Sequence, residues 1–475
     1  MAIKPLFIMG TMSGAGKSTI VTAFARIFSN MGFKVSPFKA QNMSLNSAAA
    51  INGEIAYAQY VQAKAARNIP ETRMNPILLK PEKDSLHTIL MGKFYGKIDG
   101  YEYFKSKKEI FFNYVYESLN ALREKNDIVI IEGAGSPAEI NIEYDLPNRE
   151  LAKRIDSVNI LVSNIDVGGA FAQIAGTIML ANEIKFHGYI LNKFRGDEKL
   201  LEPAIKYMEE KYGIEHIGTI PYMENFLPME DSLFDYRWKR GKVNFSIIKL
   251  PNIANSTDFH PFYFIKDAGI SFAEKAEDIK DPDVIIIPGS KRTVDDLIYI
   301  RENGIEDRIK ELHKDGTLVI GICGGYQMMG KKIIDNFESK IGEINGMGLL
   351  DSKTVFGNTK KVSMVEAEII DEKMKGIVKG YEIHFGNTES SNPFSIVYKE
   401  NMIPVKRYDG SVGENAIGTY IHDIFTNQNF MKSIMKMFIG DVEINYNVDE
   451  IIEKIAETVE RNVKMERIIE LMENQ

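Results

Sequence analysis

The sequence predicts an α/β protein of two domains, each built on a mostly parallel sheet covered by helices. Three observations carry that prediction. Short apolar runs alternate with helical patterns along most of the chain. Residues 10–19, GTMSGAGKST, follow the apolar run 6–9 in the strand–loop–helix order of a phosphate-binding loop. The only cysteine, Cys323, stands in GICGG between an apolar strand and a helix start.

In the phosphate loop, backbone N–H groups and a helix N-terminus face the anion, Lys17 reaches the outer phosphates and Ser18 sits on Mg²⁺. Gly14, Gly16 and Thr19 complete the expected nucleotide contacts. The motif departs from G-x-x-x-x-G-K-[ST] at one place: its first glycine is due at position 11, where Thr11 stands, and appears at Gly10 instead. The helix that follows carries Ile20, Phe24, Ile27, Phe28 and Met31 on one face and ends at Gly32.

A second strand, 35–38, runs into the polar segment 39–47, KAQNMSLNS, at the carboxyl edge where doubly wound sheets bind ligands. An ordinary hydrogen-bonded loop is the other reading of that segment. A helical pattern over 54–66, a short segment 74–80, a strand at 87–91 and a helix over 108–125 come next. The buried strand 127–132 ends in Glu132, placed where a phosphate-loop protein needs a second Mg²⁺ ligand. The alternation then continues with a strand at 159–164, a glycine turn at 166–169 and a helix through Leu180. A strand at 186–192, a helix to Tyr212 and a strand at 216–220 complete it. The expected domain spans 1–225 and the linker 226–242.

A second α/β unit, expected over 243–440, opens with the strand 245–250; another strand, 283–288, ends in the turn Pro288-Gly289-Ser290. Gly321 and Gly325 permit the sharp turn that exposes the Cys323 sulfur, and the following helix N-terminus favours the thiolate. The N–H of Gly324 with one from the Gly289 turn makes an expected oxyanion hole. A cysteine acting on an amide needs a base, and His384 and His422 are the candidates. His422, after an alternating strand and before a helix, is the preferred one. The tail, 441–475, repeats apolar residues at helical spacing and reads as a packing helix or an oligomer contact.

Composition narrows the function. A net charge of −8 leaves no basic footprint for nucleic acid. No stretch is apolar enough to span a membrane and the first strand begins almost at once, so a cytoplasmic protein is expected. One cysteine excludes an internal disulfide framework.

Taken in order, GTMSGAGKST, FKAQNMSLNS, MNPILLKP, IEGAGSPAEIN, LNKFRGD, IPGSKRTVDDL, GICGGYQMMG, GYEIHFGNT and GTYIHDIF resemble the cobyric acid synthases, and the resemblance covers nearly the whole chain. It implies a synthetase domain similar to dethiobiotin synthetase followed by a class I-type glutamine amidotransferase domain. It also implies ATP, Mg²⁺ and glutamine as reactants and a corrinoid acid as the substrate to be amidated. The catalytic pair then falls on Cys323 and His422, an ATP contact on Asn192, and substrate contacts on Gln41, Asn42 and Asn46. The displaced Gly10 is the family's own form. Two positions depart from the wider pattern. Ile424 stands where class I amidotransferases usually place a glutamate, which leaves the group orienting His422 unassigned, and Val167 replaces a typical arginine. The related cobyrinic acid a,c-diamide synthases are the nearest alternative. A nucleotide-switched binding protein is a more distant one, opposed by Met12 at its signature-lysine position and by the retained cysteine elbow.

Overall fold

The computed structural model describes residues 3–81, 85–100, 108–142, 144–223, 227 and 238–473. The chain forms two compact units, Met1–Glu230 with Val448–Gln475, and Asp231–Asn447.

The first unit is organised on six parallel strands in the order Glu215–Pro221, Gly188–Phe194, Val158–Asn164, Leu6–Gly10, Ile128–Glu132, Val35–Phe38. Both faces are covered by helices, so the inner strands are buried along their whole length and mostly apolar. Leu6–Gly10 is central: the chain winds to one side of it as far as Ile128–Glu132, then crosses to the other. The phosphate loop therefore opens at the topological switch point, where such sheets leave a crevice. The helix Lys17–Asn30 buries Ile20, Phe24, Ile27 and Phe28 as expected, and Gly32 ends it at φ 92°; Met31, expected on the same face, is exposed.

Beside this sheet lie a four-stranded sheet, Gln41–Met43, Ile77–Pro81, Leu86–Leu90 and Lys93–Ile98, and the hairpin Ser47–Ala50 with Gly53–Ala56. The hairpin corrects the helix expected over 54–66. The helix starts only at Tyr57, because Gly53–Ala56 pairs back on Ser47–Ala50 and the buried Glu54 is engaged by Lys80 at 2.9 Å.

The second unit carries a sheet in the order Ala268–Ala273, Val243–Ile248, Val284–Ile287, Leu318–Ile322, Ala416–Thr419, Ser411–Gly413, parallel except for its last pair. A second, largely antiparallel sheet centres on the long strands Ser352–Ile369 and Gly376–Ser390. The sequence reading assigned no strands there.

Most of the expected linker, 226–242, lies outside the described residues; where the chain is described again, Lys239 already bridges to Ile270 of the second unit. The tail differs from expectation. It forms two helices, Val448–Asn462 and Met465–Glu473, and both pack into the first unit. Gly218 admits them, since a Cβ there would lie 2.2 Å from the Asn462 carbonyl. Arg26, with no exposed side-chain surface, bonds Asp449 at 2.5 Å and Glu453 at 2.9 Å from the tail, and donates to the Ala65 carbonyl at 2.8 Å. Among the described residues no helix is long and apolar enough to cross a membrane.

A buried guanidinium stripped of its carboxylates is costlier than no guanidinium at all. Combining Asp449→Ala with Glu453→Ala is therefore expected to cost about 3 kcal/mol, and Arg26→Met less. The first urea transition of each variant measures this; the reverse order would contradict it.

Candidate active site

The phosphate loop takes its shape from three glycines. Gly14 and Gly16 have φ of 71° and 97°, conformations costly for other residues. At Gly16 a Cβ would lie 2.1 Å from Asn192 Nδ2, the amide that donates to the Ala15 carbonyl at 2.9 Å. Asn192 thus braces the loop. Gly10 explains the displaced glycine, because a Cβ at that position would lie 2.9 Å from Lys17 Nζ. The lysine folds back across the loop and donates to the carbonyls of Gly135 at 2.9 Å and Met12 at 3.3 Å. Position 11 can hold a threonine, and its hydroxyl bonds Ser163 and Gln173. Thr19 is half-buried in the first turn of the helix, next to Ser18.

Glu132, at the end of its strand, has no exposed surface. Its Oε1 accepts from Ser18 Oγ at 2.8 Å and from Lys39 Nζ at 2.9 Å, and its Oε2 accepts from Gln62 Nε2. The two expected metal ligands are therefore adjacent, and a hydroxyl beside a carboxylate is a donor set suited to Mg²⁺.

The segment 39–47 divides its labour. Lys39 joins Glu132. Asn42 donates to Gln59 at 2.9 Å, and Gln59 donates to Gln62 at 3.3 Å, so a buried amide chain runs from Asn42 to Glu132. Asn46 holds a turn, its carbonyl accepting from Tyr57 N–H and Ser44 Oγ. Of the three expected substrate contacts, Gln41 alone lines the cavity of about 250 Å³ that opens beside Ser13 of the phosphate loop.

In the second unit Cys323 has φ 51° and ψ −106°, a strained turn between Leu318–Ile322 and the helix Gly324–Met329. Both flanking glycines are required: a Cβ on Gly325 would lie 2.0 Å from the Ile287 carbonyl, and one on Gly321 would lie 2.7 Å from Tyr326 N. Gly289 and Gly324 close around the elbow. A Cβ on Gly324 would lie 2.7 Å from Ser290 N; one on Gly289 would lie 3.1 Å from His422 Cε1 and 3.7 Å from Cys323 Cβ.

His422 is buried, stacked on Tyr381 at 5.3 Å, and hydrogen-bonded to Asp258 Oδ2 through Nδ1 at 2.7 Å. Cys323 is close by, since the same Cβ position on Gly289 touches both His422 Cε1 and Cys323 Cβ. Burial works against a charged imidazole, yet the Asp258 carboxylate and its hydrogen bond, helped by Cys323, outweigh that and raise the pKa well above the ordinary value. His384 is arranged differently: Nδ1 bonds the Gly386 carbonyl at 2.7 Å and the ring stacks on Tyr420 at 3.7 Å. The Cys323 thiol meets the carbonyl of the neighbouring Ile383, at 3.5 Å.

Asp258 is the residue that sequence reasoning missed. It lies on the 3₁₀ helix Ser256–Tyr263, far upstream of His422, and its other oxygen accepts from Asp423 N–H at 2.8 Å. No spacing rule links the two positions, and the polar run NSTDFH is the only trace in the sequence.

Residues 6–233 match the CobQ/CobB/MinD/ParA nucleotide binding domain, and residues 244–430 match the CobB/CobQ-like glutamine amidotransferase domain. Over 479 residues the chain is 47% identical to a probable cobyric acid synthase of Thermococcus gammatolerans, an alignment covering 98% of this chain and 99% of the relative. A cobyric acid synthase of Clostridium acetobutylicum is 42% identical over 483 residues, covering 99% of this chain and 96% of the relative.

Asp258→Asn removes the charge that keeps His422 protonated, so the imidazolium is lost at a lower pH. Glutamine hydrolysis is expected to fall about 10²–10⁴-fold, and alkylation of Cys323 by iodoacetamide at neutral pH to slow. Unchanged rates in both assays would exclude this role.

Proposed function

The chain belongs to the cobyric acid synthase family, and from that footing we propose that it amidates carboxylates b, d, e and g of adenosylcobyrinic acid a,c-diamide, drawing nitrogen from glutamine and activation from ATP. The observation that carries the reading is the Cys323–His422–Asp258 chain, in a protein that also brings Ser18 of a phosphate loop onto Glu132.

In the amidotransferase unit the Cys323 thiolate attacks the glutamine side-chain carbonyl, and the N–H groups of Gly289 and Gly324 face the oxygen that becomes negative. His422, held by Asp258 with its proton toward the sulfur, gives that proton to the departing ammonia. Water then releases glutamate from the thioester, with His422 as the base.

In the synthetase unit a substrate carboxylate needs activation, because its charge repels an amine and its oxygen leaves poorly. Lys17 and the loop N–H groups hold the terminal phosphate of ATP for in-line attack by that carboxylate, and ammonia displaces phosphate from the resulting acyl phosphate. Ser18 and Glu132 would hold Mg²⁺, which offsets charge on the phosphate oxygens when bound. Lys39 keeps the Glu132 carboxylate oriented and adds positive charge where the polyphosphate binds.

Incubation with adenosylcobyrinic acid a,c-diamide, ATP and glutamine, followed by mass analysis, is expected to show four successive exchanges of hydroxyl for amide. Conversion of cobyrinic acid to its a,c-diamide instead would assign the chain to the sister activity. Cys323→Ala is expected to abolish glutamine-driven amidation and leave ammonium-driven amidation intact, whereas Glu132→Gln should stop both while glutamine hydrolysis persists. Loss of ammonium-driven turnover in the Cys323→Ala protein would contradict the division of labour.

A further inference from the structure

The cavity beside the phosphate loop is small against the substrate proposed above. About 250 Å³ is less than the roughly 300–1,000 Å³ of pockets that engulf a drug-sized ligand, and a corrin macrocycle has many more atoms than such a ligand. An acetate or propionate arm with its carboxylate does fit. The cavity mixes polar and apolar lining, as such an arm does: Ser13, Gln41, Gly135 and Ser136 line it together with Phe111, Ile142 and Leu146. Its polar lining adjoins the reactive centre, because the Gly135 carbonyl is the acceptor for Lys17 Nζ at 2.9 Å. A carboxylate seated there lies beside the lysine that holds the terminal phosphate.

Of the two acidic residues that line the cavity, one is hydrogen-bonded within the protein and the other faces solvent. Asp145 is turned onto Asn148, whose Nδ2 donates to both of its oxygens at 3.0 Å, and burial raises its pKa to about 6. Glu139 is exposed at the rim.

Around the mouth the surface is apolar to a degree that folding does not require. Met43, which lines the cavity, is 41% exposed; Tyr95, in edge contact with Phe111 at 5.6 Å, is 43% exposed; Ile140, between the lining residues Glu139 and Ile142, is 71% exposed. Exposed apolar side chains beside a slot with polar lining suit a flat apolar ring that carries carboxylate arms.

Resting on the function proposed above, we infer that this cavity is the acceptor subsite: one carboxylate arm enters between the phosphate loop and residues 134–136, 142 and 144–147, and the macrocycle lies outside against Met43, Tyr95 and Ile140. Gln41 and Met43 are then the residues of segment 39–47 that touch substrate, while Asn42 and Asn46 hold the segment in place.

Two variants test it. Ile142→Trp fills the slot, and the exposed Met43→Glu places a negative charge at its rim without burdening the fold. Equilibrium dialysis against adenosylcobyrinic acid a,c-diamide, followed by its visible absorption, is expected to show binding weakened about tenfold or more in each. Binding of a fluorescent ATP analogue should be retained, which reports that the loop is folded. Wild-type affinity for the corrinoid in both variants would overturn the subsite alone. A wild-type protein that neither binds nor amidates the corrinoid would overturn the parent reading and the subsite with it.

Discussion

A carboxylate without solvent must find its partners inside the protein, and Glu132 finds three, each on a different element. Ser18 is on the helix of the phosphate loop, Lys39 follows the edge strand, and Gln62 is on the helix Tyr57–Ala65. Neutralising or moving that one group would loosen all three at once, because each loses a hydrogen bond to it. The cluster is also unbalanced in a useful way. Lys17 and Lys39 bring two positive charges to a place where Glu132 supplies one negative charge, which leaves positive charge for an anionic ligand. Lys39 thus serves both the carboxylate demanded by folding and the anion demanded by function.

The parallel sheets were legible because strands buried on both faces are near-continuous apolar runs, as LFIMG, LVIGI and, up to its terminal glutamate, IVIIE are. Both reactive turns were legible for a related reason: glycine spacing around Lys17 and Cys323 answers to atoms within a few residues. The sheet around Ser352–Ile369 was not, since a strand with one wet face carries charges at every other position, and that strand alternates buried residues with lysine and glutamate. Ala48, Ala49, Ala50 and Ala56 suit a helix as well as a hairpin, so local preference could not place the first turn of Tyr57–Ala65.

Asp258 shows a different limit. Class I amidotransferases usually carry the orienting acid two residues after the histidine, and Ile424 removes it here. The structure supplies the same kind of carboxylate from the 3₁₀ helix Ser256–Tyr263, anchored a second time by the Asp423 N–H. What the imidazole requires is an acceptor at Nδ1 and a buried negative charge, not a particular place in the chain. A motif read along the sequence registers a loss where the three-dimensional arrangement has only changed its supplier.

The return of the tail to the first unit makes the amidotransferase unit an insertion, joined to its host at both ends. Its consequence is temporal. Emerging from a ribosome, the host has its phosphate loop and all six strands long before the helix that carries Asp449 and Glu453 exists. Until then Arg26 has no carboxylates to meet, and the guest has its entire sequence in which to fold first. Synthesis therefore finishes the two units in the opposite order from the one in which it starts them.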